Sequence, residues 1–154
     1  MDNAQASILD RLIDTAPADS REPVQYRLLD VSQVKAFVIR DLENLLNSRR
    51  SITALPAAFH HLHNSVATYG LKDFTAENTG SHRVKKTILK DVERTIERFE
   101  PRLRNVKVVV EAGRQKERHL HFRISALLVV DPIREPVTFD TYFDAIHKEY
   151  VVAD

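Results

Sequence analysis

SHRVKKTILKDVERTIERFEPRLRNVKVVV, residues 81–110, changes period in its middle. In its first part Val84, Ile88, Val92 and Ile96 recur every four residues, with Leu89 and Phe99 beside them. That is the stripe of an amphipathic helix, and it predicts one over His82–Phe99 with Ser81 as N-cap. Pro101 ends the helix, because the residue before a proline is pushed out of the α region. Beyond it Val106, Val108 and Val110 alternate with Lys107, Val109 and Glu111. Period two is the mark of a strand with one buried face.

The strand pattern continues downstream. Leu120, Phe122, Ile124, Ala126, Leu128 and Val130 alternate with more polar neighbours, Asp131 and Pro132 turn the chain, and Val137, Phe139, Thr141 and Phe143 alternate again. Tyr150–Val152 adds a short edge piece. Strands in series with short connections predict an antiparallel meander of three to four strands, with Gly113–Arg118 as a polar connection. Upstream, Val34, Val38, Leu42 and Leu45 form the apolar face of a helix over Val31–Asn47, widened by Phe37, Ile39 and Leu46. Asp30 and Gln33 have capping-box spacing at its start, and Arg49 and Arg50 suit the dipole at its end. Lys35, Arg40, Asp41 and Glu43 occupy the opposite side. Residues 51–81 read as short helical turns joined by loops, Gly70 stopping one of them. Helices first and strands after is an α+β order. Ile8, Leu9, Leu12 and Ile13 make a short amphipathic stretch, and a linker with Pro17 and Pro23 tethers it to the body. The organisation is therefore an arm and linker over residues 1–23 and a single α+β domain over residues 24–154.

Composition narrows the chemistry. The 154 residues suit one domain with a core of its own. The net charge is +1, so global charge selects no polyanionic partner. There is no cysteine, which excludes disulfides, thiolate metal sites and a thiol nucleophile. The longest wholly apolar run, Ala126–Val130, falls far short of the ~20 residues of a membrane-spanning helix. The first residues show no signal-peptide pattern, so a cytoplasmic protein without membrane insertion is expected. Three glycines, at 70, 80 and 113, assemble no phosphate-cradling loop.

Candidate chemistry is sparse. His60, His61 and His63, or His119 with His121, could ligate a metal, but no acid lies near the first group and loop histidines explain them. Acidic pairs of the kind a glycosidase uses are unremarkable among 22 acids, and a chain without Trp offers few sugar platforms. Lys86, Lys90, Arg94 and Arg98 repeat every four residues on the face of the second helix opposite its apolar stripe. Between residues 81 and 104 eight cations face four acids. With Glu93 and Glu97 interrupting the row and no interleaved aromatics, nucleic-acid binding is disfavoured. No cofactor site is read. The most informative stretch is Glu100-Pro101-Arg102 at the helix-to-strand corner. The proline fixes the backbone, so a carboxylate and a guanidinium fork stand on a rigid corner. Spacing alone leaves two readings, a salt bridge stapling helix to sheet or a partner-binding pair.

Several segments together carry a resemblance. Ser7-Ile8-Leu9-Asp10-Arg11-Leu12 comes first, then Arg40-Asp41-Leu42-Glu43-Asn44-Leu45-Leu46-Asn47 with Arg49-Arg50. Ser65-Val66 with Tyr69-Gly70-Leu71 and Asp73 follows, then Thr95-Ile96-Glu97-Arg98-Phe99-Glu100-Pro101-Arg102-Leu103. In this order they resemble the TssE family of type VI secretion baseplate subunits, related to a wedge protein of contractile phage tail baseplates. The resemblance implies a non-enzymatic assembly role, although the family's "lysozyme-like" label leaves a peptidoglycan hydrolase as the alternative and a nucleic-acid-binding module behind it. It implies TssF and TssG as wedge partners, TssK and the VgrG spike as neighbours, and the sheath proteins TssB and TssC bound by strand sharing. It places the protein in the cytoplasmic baseplate near the inner membrane. On this reading Glu100, Pro101 and Arg102 bind the wedge core, and Ile8, Leu9 and Leu12 dock on a wedge partner. Val106, Val108 and Val110, or Val137–Phe143, offer the shared strand. Arg102→Ala is then expected to leave the fold largely intact while weakening assembly.

Overall fold

The computed structural model describes residues 4–5, 7–12, 18, 28–51, 56, 58–59, 61–74, 81–110, 121–144 and 149–153. The Gly113–Arg118 connection, most of the linker, His60 and His119 lie outside them. The elements run β1 (Ala4–Gln5), α1 (Ile8–Leu12), β2 (Leu28–Leu29), α2 (Val31–Asn47), α3 (His82–Phe99), β3 (Leu103–Val110), β4 (Phe122–Val130), β5 (Ile133–Asp144) and β6 (Glu149–Ala153). Two single-turn 3-10 helices, Leu62–Asn64 and Val66–Thr68, precede α3. The expected α+β fold is what forms.

Each long helix starts and stops for a visible reason. The Asp30 side chain accepts from the Gln33 backbone N–H at 2.8 Å, and the Gln33 side chain accepts from the Asp30 N–H at 3.0 Å. This reciprocal box satisfies two N–H groups that α2 would otherwise leave open. At the far end Arg49 donates to the Leu46 carbonyl at 2.9 Å. Ser81 takes the N-cap position of α3, as expected, although its side chain makes no capping bond.

β3 to β6 form one antiparallel sheet in sequence order. Side chains of Val106 and Val108, Phe122, Ile124 and Leu128, and Val137 and Phe139 point to one face. There they meet Val38, Leu42 and Leu46 of α2 and Val92 and Ile96 of α3, all buried. Helix α3 packs on β3 and α2 on β6. The other face keeps Lys107, Val109, Thr138, Asp140 and Tyr142 exposed. Between Arg104 and Lys107 the ladder slips through a bulge at Asn105, whose φ is 54°. Asn is among the few residues besides glycine that enter this left-handed region readily.

β1 and β2 pair antiparallel, Ala4 with Leu29 and Gln5 with Leu28. Two-residue strands carry no periodicity, so nothing in the sequence marks this clasp between the arm and the start of α2.

Candidate functional site

Three of the quoted segments converge on one ionic junction. α1 is capped by Ser7, whose Oγ accepts from the Asp10 N–H at 3.2 Å and donates to the Asp10 carboxylate at 2.6 Å. Asp10 is 8% exposed. Arg40 of α2 donates to Asp10 at 2.7 Å and, through Nε and Nη2, to Asp41 at 3.0 and 2.8 Å. Asp41 in turn accepts from Arg102 Nη2. Arg102 grips Glu100, with Nε to Oε1 at 2.7 Å, its own backbone N–H to the same oxygen at 3.2 Å, and Nη2 to Oε2. Glu100 is 4% exposed. The chain of charges alternates sign from arm to corner: Asp10, Arg40, Asp41, Arg102, Glu100.

The electrostatics follow from this order. Burial pushes the Asp10 carboxyl up, but the Ser7 hydroxyl and the Arg40 guanidinium outweigh it and hold the group below its usual range. Burial lowers Arg102, yet Glu100 and Asp41 raise it further, so its charge is permanent. Tyr69, edge-on to Phe99 with centroids 5.3 Å apart, is raised by burial and by the nearby Asp41 and Glu100. Both Glu100 oxygens are occupied by Arg102, which is the geometry of a fork-to-fork clamp. The corner is therefore stapled to α2, and of the two readings left open by spacing the salt bridge is present.

The arm has a clear orientation. It faces the body with its acid, while Ile8 and Leu12 are 70% and 74% exposed. The side chain of Leu9 lies outside the described residues. An exposed apolar pair on a five-residue helix is surface left for something else to cover.

One consequence is testable by pH. A carboxyl whose folded pKa is depressed contributes stability that is present above its unfolded value and lost as pH falls through the folded one. Arm docking should thus be intact above 3.8, the ordinary value for this group, and fail in more acidic solution. The protein has no cysteine, so Leu12→Cys gives a single labelling site. The anisotropy of a dye there is expected to drop below that pH in the parent and to be low at every pH in Asp10→Asn.

The polar side of α2 is not solvated as a side. Lys35 pairs with Glu135 of β5 at 3.1 Å, Arg40 and Asp41 enter the junction, and Glu43 turns to the sheet. Glu43 accepts from the Val152 N–H at 3.0 Å. Asn47 accepts from the Tyr150 N–H at 2.7 Å and donates to the Tyr150 carbonyl at 2.9 Å. Residues four apart on a helix and two apart on a strand advance by nearly the same distance, ~6 and ~7 Å, so one turn of α2 serves as a surrogate strand. The β6 edge is closed along this length.

The other edge belongs to β3. Glu93 of α3 accepts from the Val108 N–H at 2.9 Å, and Val110 is 38% exposed. Val106 and Val108 are buried, so their side chains fill the core and only their backbone faces an incoming strand. β6 pairs with β5 over Asp140–Asp144, which removes Asp140–Phe143 of the Val137–Phe143 candidate as an edge, whereas Val137–Phe139 has β4 on one side and, among the described residues, no strand on the other. The alternation of β5 reads the same whether a strand is central or lateral, which is why the sequence leaves that choice open.

Among the described residues no group of three or more His, Asp or Glu is placed to hold a metal ion, and no helix is long and apolar enough to cross a membrane. His121 stacks on Tyr142 with centroids 6.4 Å apart.

A profile of the family described as baseplate wedge protein gp25 matches residues 32–133. The chain belongs to that family. The match runs from the first turn of α2 to the start of β5 and so contains Arg40, Asp41, Glu100 and Arg102. Asp10 and the β6 edge fall outside it. A baseplate wedge protein is a structural component of a phage-tail-like baseplate. No curated protein matches the chain closely enough to be compared with it.

Proposed function

We propose that this protein is a non-enzymatic wedge subunit of a type VI secretion baseplate, joined to TssF and TssG and templating the first sheath ring. The family match over residues 32–133 carries this reading. The surfaces fit it: an ionic junction that sets the arm, an exposed Ile8 and Leu12, and a β3 edge that α3 meets through Glu93 at the Val108 N–H. On this reading TssK and the VgrG spike are neighbours in the baseplate, and the protein works on the cytoplasmic side near the inner membrane. A strand of TssB or TssC adds to β3, displacing Glu93 from the Val108 N–H, because α2 already occupies the β6 edge. Ile8 and Leu12 supply the apolar contact to the wedge, and the Glu100–Arg102 corner holds the adjoining surface in shape.

Co-purification with TssF and TssG tests the reading. Both arm side chains are exposed, so Ile8→Ser with Leu12→Ser is expected to keep the circular dichroism of the parent and to lose most of the captured wedge proteins. Full capture by this variant would take the arm out of the interface. No capture even by the parent chain would overturn the wedge assignment.

A further inference from the structure

The cationic row on α3 is absorbed by none of these surfaces. Lys86, Lys90, Arg94 and Arg98 are all exposed, and among the described residues none of them forms an ion pair. By sequence the row looks interrupted, since four acids accompany it. The fold removes three of those acids. Asp91 accepts from the Arg50 guanidinium at 2.7 Å and from the Lys72 N–H at 3.1 Å. Glu93 is turned to the Val108 N–H, and Glu100 is held by Arg102. Glu97 alone remains exposed beside the row. A chain with net charge +1 thus presents a concentrated positive ridge ~18 Å long at a rise of ~1.5 Å per residue.

We infer that this ridge docks an acidic helix of another protein, one carrying Asp or Glu at four-residue intervals along a single face. Charge complementarity selects the sign of the partner. Spacing selects its form: rows of side chains four apart are the ridges along which helices pack, so an acidic row of a partner helix can seat in the groove beside the cationic one. A nucleic acid is the poorer occupant. The exposed positions of α3 hold no Phe, Tyr or Trp ring for a base to stack on.

The test uses the full chain and two N-acetylated alanine-based helical peptides, one with Glu and one with Lys at every fourth position, beside a 20-base-pair DNA duplex. Binding is read by fluorescence anisotropy at low salt. The parent is expected to bind the Glu peptide, to release it in high salt, and to bind the duplex more weakly. Lys90→Glu with Arg94→Glu is expected to weaken the Glu peptide at least tenfold and to accept the Lys peptide instead. Arg104→Glu with Lys107→Glu, on the sheet, is expected to change nothing. Tighter binding of the duplex, no binding of the Glu peptide, or equal losses from both charge-reversed variants would each overturn the inference. Should the α3 reversal fail to fold, Lys90→Gln with Arg94→Gln is read for the same loss.

Discussion

Arg102→Ala is expected to destabilise the fold by about 2–4 kcal/mol. The figure is the cost of leaving a buried charge without its partner, reduced because the Arg102 side chain is 21% exposed. Glu100, 4% exposed in the parent, would lose the guanidinium from both oxygens and keep the residue 102 backbone N–H on Oε1. Asp41 would lose one of its two guanidinium partners and keep Arg40. Arg102→Lys retains the charge but offers no planar fork to span Glu100 and Asp41 together, so it should recover only part of the loss. Urea unfolding of the three proteins checks this, and a loss below about 0.5 kcal/mol for the alanine variant would show that water replaces the guanidinium without cost. The burial of Glu100 sets this expected loss against the expectation that Arg102 can be removed with the fold largely intact, and the unfolding measurement decides between them. An assembly role for the corner has to be tested with a variant that remains folded.

Gly70→Ala should be comparably damaging, at ~2–5 kcal/mol, for a backbone reason. Gly70 has a φ of 96°, which side chains rarely adopt, and a Cβ there would stand 2.5 Å from the Ser48 carbonyl oxygen. That oxygen accepts from the Leu71 N–H at 2.9 Å, and the Arg50 N–H donates to the Leu71 carbonyl at 3.0 Å. The clash therefore breaks the short bridge that fastens residues 69–72 to the end of α2. Tyr69 would lose its place beside Phe99 and the junction. Native-state hydrogen exchange is the sharper measurement: amides of Arg50 and Leu71 should lose protection well before those of β4. Unchanged protection at both would mean that the loop shifts without leaving α2.

Local periodicity made much of this fold readable. Val34, Val38, Leu42 and Leu45 form a stripe that no loop would carry by chance, and Asp30 with Gln33 marks where it begins. The alternation through Phe122–Val130 similarly determines which side chains face the helices. The junction was less accessible, because its members are far apart in the chain: Asp10 and Arg40 by 30 residues, Asp41 and Arg102 by 61. Nothing periodic links them. A signal was present at Asp41, which lies seven residues after Val34 and three after Val38, at the margin of the buried stripe. A carboxylate at such a position needs a partner. Glu43, Asn47 and Glu93 were hidden for a related reason, since an acid or amide facing a strand edge looks in sequence like one facing water.

The sealed β6 edge gives the four-stranded sheet a direction. Growth by strand addition needs unsatisfied N–H and C=O groups, and along Tyr150–Val152 α2 has already claimed them. A unit of this kind can stand at the start of a series of paired strands and hand on one edge, but it cannot be inserted midway along such a series. In an assembly that extends by repeated pairing, it would act as an end stop facing one way.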